Sequence, residues 1–117
     1  MSSHATIAIQ NEDGTVDAVQ VYYHGYPTGV GAILCEYFTN EESIRDLLSY
    51  GDISTLSPYN HNCVFFHRDK KEPLHIYEHV DLEDINNQEY NYLFIDGRWV
   101  WDEGELLEEL QKELAKS

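Results

Sequence analysis

Apolar and polar residues alternate over Ala5–Gln10, which puts Ile7 and Ile9 on one side of an extended strand. Asn11-Glu12-Asp13-Gly14 follows, a run whose residues tolerate the positive φ of a tight turn. Alternation resumes over Thr15–His24 with Val19, Val21 and Tyr23 on one face, so the N-terminal segment predicts a β-hairpin. The period then changes. Beyond Gly25-Tyr26-Pro27-Thr28-Gly29, the positions Val30, Ile33, Leu34, Tyr37 and Phe38 recur at the spacing of an amphipathic helix. Thr39-Asn40-Glu41-Glu42 predicts a capping box that opens a second helix. That helix turns Ile44, Leu47 and Leu48 inward and ends at Gly51, a left-handed cap.

Asp52–Asn62 predicts a loop. Cys63–His67 and Leu74–Val80 predict two strands joined as a hairpin through the polar turn Asp69–Pro73, and Asp81–Gln88 a loop or one helical turn. Tyr90–Ile95 and Arg98–Trp101 flank Asp96-Gly97, a strong two-residue hairpin signal. A two-residue turn sets Phe94 opposite Trp99 and Tyr92 opposite Trp101. Tyr90, Tyr92, Phe94, Trp99 and Trp101 then share one face, with Leu93 and Val100 on the other. Asp102-Glu103-Gly104-Glu105 resembles a helix cap, and Leu106, Leu107, Leu110 and Leu114 mark the inner side of a terminal helix. The expected order is ββααββββα, an α+β fold. Its sheet would be antiparallel, built from hairpins with helices packed on one face, in a single domain over residues 1–117.

Several of these segments carry a resemblance. Ala5-Thr6-Ile7-Ala8-Ile9, the Asn11–Gly14 turn, Gly25-Tyr26-Pro27 with Val30-Gly31, Gly51-Asp52-Ile53-Ser54, and Tyr90–Phe94 with Asp96–Trp99 are the residues concerned. Together they resemble a family of small bacteriophage and prophage proteins with an STIAI-like first strand and a GYPxxVG motif. The resemblance covers most of residues 5–56 and 90–99; where members carry a Trp-Asp pair ahead of Gly-Tyr-Pro, Tyr23-His24 stands here. It implies a phage accessory protein in the host cytoplasm, and no particular activity.

Charge alters the picture more than composition does. Twenty-two Asp and Glu oppose seven Lys and Arg, a formal net charge of −15. Residues 1–77 hold ten acids and four bases, and residues 78–117 twelve acids and three bases, so the density is greatest toward the C-terminus. Direct nucleic-acid binding is not expected, because it requires cations that displace phosphate counterions. An anionic membrane surface is excluded on the same ground. No apolar run reaches the roughly 20 residues of a membrane span, and no signal peptide precedes Ala5. The two cysteines form no framework, so the expectation is a cytoplasmic protein with reduced thiols.

Catalytic signatures are missing: no nucleophile elbow, no phosphate-binding loop and no zinc spacing, so no catalytic residue, metal or cofactor is expected. His61, Cys63 and His67 share a strand face, as do His75 and His79, without the spacing that fixes a zinc site. Three expectations about function remain. The first is an inhibitor of a basic host or defence protein, acting as a DNA mimic, in which Asp102, Glu103, Glu105, Glu108, Glu109 and Glu113 supply charge and Trp99 and Trp101 supply apolar anchors. The second is a binder of an anionic or nucleotide ligand at the Gly25–Gly31 loop, with His24, Gly25, Tyr26, Gly29 and Gly31 in contact. The third is a homo-oligomer or structural protein that self-associates through the aromatic face, a face that the sequence equally allows to be core.

Overall fold

The computed structural model describes residues 4–58, 62–85, 88–101 and 104–116, with the side chains of Leu107 and residues 113–116 outside the description. Two strands, β1 (Ala5–Gln10) and β2 (Val16–Val21), form the first hairpin, in register from Ala5↔Val21 to Gln10↔Val16. Asn11 closes its turn, donating its N–H to the Thr15 carbonyl at 2.7 Å, and Gly14 supplies the positive φ of +88°. A wide helical turn, Pro27–Gly31, runs into α1 (Ala32–Tyr37), and α2 spans Glu41–Leu48. The apolar stripe behaves as its spacing dictates: Val30, Leu34 and Phe38 are buried, whereas Tyr37, at its edge, is exposed. The cap of α2 lies one residue from the expected box, because the Asn40 side chain accepts from the Ser43 N–H at 2.8 Å. Gly51 is left-handed at φ +83°, as expected.

The next stretch departs from expectation. Ile53–Thr55, inside the expected loop, forms β3 and pairs in parallel with β2 at Val21. The two following strands, β4 (Val64–Phe65) and β5 (Tyr77–Val80), do not form a hairpin. β4 pairs with β3, and β5 with β2 across a register shift. One helical turn, α3 (Leu82–Ile85), precedes the hairpin of β6 (Tyr90–Ile95) and β7 (Arg98–Trp101). That hairpin has the register Asp-Gly dictates, Phe94↔Trp99 and Tyr92↔Trp101, with Asp96 and Gly97 at φ +53° and +80°. Gly104–Glu105, expected as part of a cap, adds the short edge strand β8, which leads directly into α4 (Leu106–Lys116).

The sheet runs β4-β3-β2-β1-β6-β7-β8, with β5 also on β2. It is mostly antiparallel, but β1 pairs in parallel with β6, from Ala5↔Tyr90 to Ile9↔Phe94. β1 is therefore flanked on both sides, and five of its six residues are buried. α1, α2 and α4 cover one face through Ile7, Ile9, Val19, Val21, Leu34, Ile44, Leu47 and Leu106. The expectation of helices on one face holds for these three. α3 lies on the other, where Ile85 packs with Ala8, Val16, Ala18 and Leu93. Among the described residues, no helix is long and apolar enough to cross a membrane.

Candidate functional site

The aromatic face turns into the core. Tyr92 and Trp99 are 1% and 4% exposed. The Tyr92 hydroxyl donates to the Gly25 carbonyl at 2.6 Å, and the Trp99 indole N–H to the Phe38 carbonyl at 2.9 Å. Phe94 meets Trp99 edge-on at 5.3 Å, while Trp101, half-buried, stacks beside Tyr90 and Tyr92. Trp99 is thus not a surface anchor, and the aromatic ring set is not a face held open for a second copy. Both expectations are corrected by the same cause: the helices needed this wide apolar face for their own burial.

The Gly25–Gly31 segment is a closed turn. Val30 N–H donates to the His24 carbonyl at 2.9 Å, and the N–H groups of Gly29 and Gly31 to the Tyr26 carbonyl at 2.9 and 3.5 Å. The N–H groups of Gly29, Val30 and Gly31, among those that would cradle an anion, are therefore spent within the chain. A Cβ on Gly31 would stand 3.2 Å from a Leu106 methyl, so this glycine lets α4 approach. His24 and Tyr26 are exposed and hydrogen-bond each other at 3.1 Å. The turn does not gather His24, Gly25, Tyr26, Gly29 and Gly31 into one cradle: Gly25 and Gly31 are buried, and the two side chains point to solvent.

Carboxylates stand on both faces. Glu41, Glu42 and Asp46 are exposed on α2, and Glu83 and Asp84 on α3 across the sheet. What differs is neutralisation. Arg45 holds Asp17 at 3.2 Å and Glu41 at 2.7 Å, Arg68 holds Asp69 at 3.0 Å, and Arg98 reaches Glu105 at 3.5 Å. Burial pushes Asp17 up, but hydrogen bonds from the Asn11 amide and the His79 N–H, with the charges of His79 and Arg45, outweigh it and hold the carboxyl below its ordinary range. Asp13 and Asp69 are also lowered, chiefly by hydrogen bonds from the side chains of Thr15 and Arg68 respectively. The C-terminal row is weaker than its sequence suggests. Glu105 is half-buried and taken by Arg98, and Glu108 is exposed and Glu109 half-buried on a helix that also carries Lys112 and Lys116. Asp102, Glu103 and the Glu113 side chain lie outside the described residues.

The surface without Lys or Arg is elsewhere. Residues 72–97 contain seven Asp and Glu and no Lys or Arg. Asp81, Glu83, Asp84 and Glu89 are exposed, and among the described residues no cation stands within 4.0 Å of them. Beside them, on the α3 face of the sheet, lies a half-open cavity of about 240 Å³, lined by residues of β1, α3, β6 and β7, among them Thr6, Leu82, Asn91, Leu93, Val100 and Trp101. The missing signal was in the sequence all along: it is the absence of Lys and Arg over that stretch, not the density of acids at the end of the chain.

Burial pushes the Cys35 thiol up to about 11 and raises Cys63 as well, which keeps both protonated. Among the described residues, no three His, Cys, Asp or Glu groups are placed to hold a metal ion; His61 lies outside them. No family model, curated protein or solved structure matches the chain.

Proposed function

We propose that this chain is a binding protein that engages a basic protein surface and occupies the place where that partner would hold nucleic-acid phosphates. The observation that supports this reading is the stretch of residues 72–97, which holds no Lys or Arg, with Asp81, Glu83, Asp84 and Glu89 exposed and, among the described residues, without an ion-pair partner. Unpaired like charges repel one another within the chain, and a cationic partner relieves that repulsion while being steered toward it. Inhibition of a host or defence protein by a phage accessory protein belongs to the same proposal. The burial of Tyr92 and Trp99 and the engagement of the Gly29, Val30 and Gly31 N–H groups leave the anion-binding and self-association readings without an observation in their favour.

The test is competition. The immobilised chain is presented with a bacterial lysate at low salt and washed with rising salt or with excess duplex DNA. Basic DNA-binding proteins are expected to be retained, to be displaced by DNA, and to elute as screening shortens the reach of the charges. Retention that DNA does not compete, or the absence of basic proteins from the retained fraction, overturns the reading.

A further inference from the structure

We propose that the Asp96-Gly97 turn is a self-modification site, where the chain isomerises through a succinimide to isoaspartate, while the fold protects the other Asp-Gly step, Asp13-Gly14. The inference is independent of the reading above. The chemistry is intramolecular. The Gly97 nitrogen gives up its proton and attacks Cγ of the Asp96 carboxyl group. An N–Cγ bond forms, the bond from Cγ to the hydroxyl oxygen breaks, and water leaves. Water then opens the five-membered ring. Attack at Cγ restores aspartate. Attack at the α-carbonyl carbon leaves the main chain running through Cβ and Cγ, with the former carbonyl as a free carboxylate. Glycine favours the step because it has no Cβ to crowd the attacking nitrogen.

The sequence holds two such steps, and exposure does not separate them, since all four residues are exposed. Hydrogen bonding does. The Asp13 carboxylate accepts from the Thr15 N–H at 3.0 Å and from the Thr15 hydroxyl, and the Gly14 N–H donates to the Asn11 carbonyl at 3.1 Å. The bonds from Thr15 hold the Asp13 carboxyl below its ordinary range and so favour the ionised form, which has no hydroxyl to expel. The Gly14 nitrogen must also break its own bond before it can attack. Neither hold exists at the β6–β7 turn. Among the described residues, the Asp96 carboxylate has no hydrogen-bond or ion-pair partner and the Gly97 N–H has no acceptor. Space around Gly97 is open, with no atom within 4 Å of where a Cβ would stand. Isoaspartate lengthens by one atom the two-residue turn that sets Ile95 opposite Arg98 and Phe94 opposite Trp99.

The test ages the folded chain at neutral pH and reads isoaspartate by methyl transfer from labelled S-adenosylmethionine with an isoaspartyl methyltransferase. Cleavage after Lys and Arg places Asp13 in the peptide of residues 1–45 and Asp96 in that of residues 72–98. The folded chain is expected to carry label in the second peptide alone, located to residue 96 by fragmentation. In urea, both peptides are expected to carry it. Asp96→Glu, whose longer side chain closes a six-membered ring reluctantly, is expected to lose the label. Should that variant fail to fold, Asp96→Asn, a residue this turn accepts, supplies the second readout: faster labelling of the same peptide, with ammonia released. Thr15→Ala is expected to bring label into residues 1–45. Label in residues 1–45 of the folded, unaltered chain at the rate seen in residues 72–98, or none at residue 96, overturns the proposal.

Discussion

Tyr92→Phe removes a single oxygen from the centre of the molecule. The hydroxyl is buried and donates at 2.6 Å to the Gly25 carbonyl, tying β6 to the turn between β2 and α1. The ring remains, so packing is retained and no cavity opens. The loss is the hydrogen bond together with the cost of leaving the Gly25 carbonyl buried without it, about 1–3 kcal/mol. With a urea slope of about 1–3 kcal/mol per molar, a loss of about 2 kcal/mol lowers the unfolding midpoint by about 1 M with the slope unchanged. Equilibrium urea unfolding followed by circular dichroism measures it. Tyr90→Phe is the control, since the Tyr90 hydroxyl makes no hydrogen bond among the described residues and its removal should move the midpoint little. Equal midpoints for Tyr92→Phe and the unaltered chain would refute the reasoning and reopen the Gly25 turn as a separate, loosely held element.

Three further outcomes are expected. Gly29→Ala places a Cβ 2.5 Å from the His24 carbonyl oxygen, so backbone must move and the melting temperature should fall; an unchanged melt would show that the turn is not closed as described. Asp17 is ionised more readily in the folded chain than in the unfolded one, where its value is near 3.8, so its stabilising contribution is complete above that value and is lost as pH falls through the lower folded value. The stability gap between the unaltered chain and Asp17→Asn should therefore close on acidification, and a gap constant from neutral pH to pH 2 refutes the ion-pair account. Cys35, with its thiol raised to about 11, should resist iodoacetamide at neutral pH in the folded chain, and rapid modification measured by mass spectrometry would contradict that placement.

What was legible in the sequence was local. The Asp96-Gly97 turn dictates the β6–β7 register, and the Val30–Phe38 spacing dictates which side chains α1 and its preceding turn bury. Long-range pairing was not legible. Ile53-Ser54-Thr55 forms a strand because Val21 lies alongside it, a partner that no nearby turn announces. β4 and β5 look like hairpin arms because two short strand-forming runs flank a polar turn, a local pattern that does not say which neighbour each strand pairs with. The same limit applies to the candidate surface. Asp81–Gln88 reads as a polar loop or one helical turn, and Leu82–Ile85 is that turn, yet the cavity beside it exists only because the parallel β1–β6 pairing brings Ala8 beside Leu93, where Leu82 walls them. The aromatic face was read correctly as a set and wrongly as a docking surface in the case of Trp99, since alternation separates the two faces without saying which one the helices take.

The parallel pairing has a consequence for how the chain is made. Ala5 waits for Tyr90, 85 positions later, before the outer edge of the central strand is covered. At about 5–20 residues per second, Tyr90 is made roughly 4–17 s after Ala5, and until then the β1 segment has no β6 to pair with and its backbone is open to any extended neighbour. A message truncated before residue 90 would release a fragment whose β1 edge has no β6 to cover it.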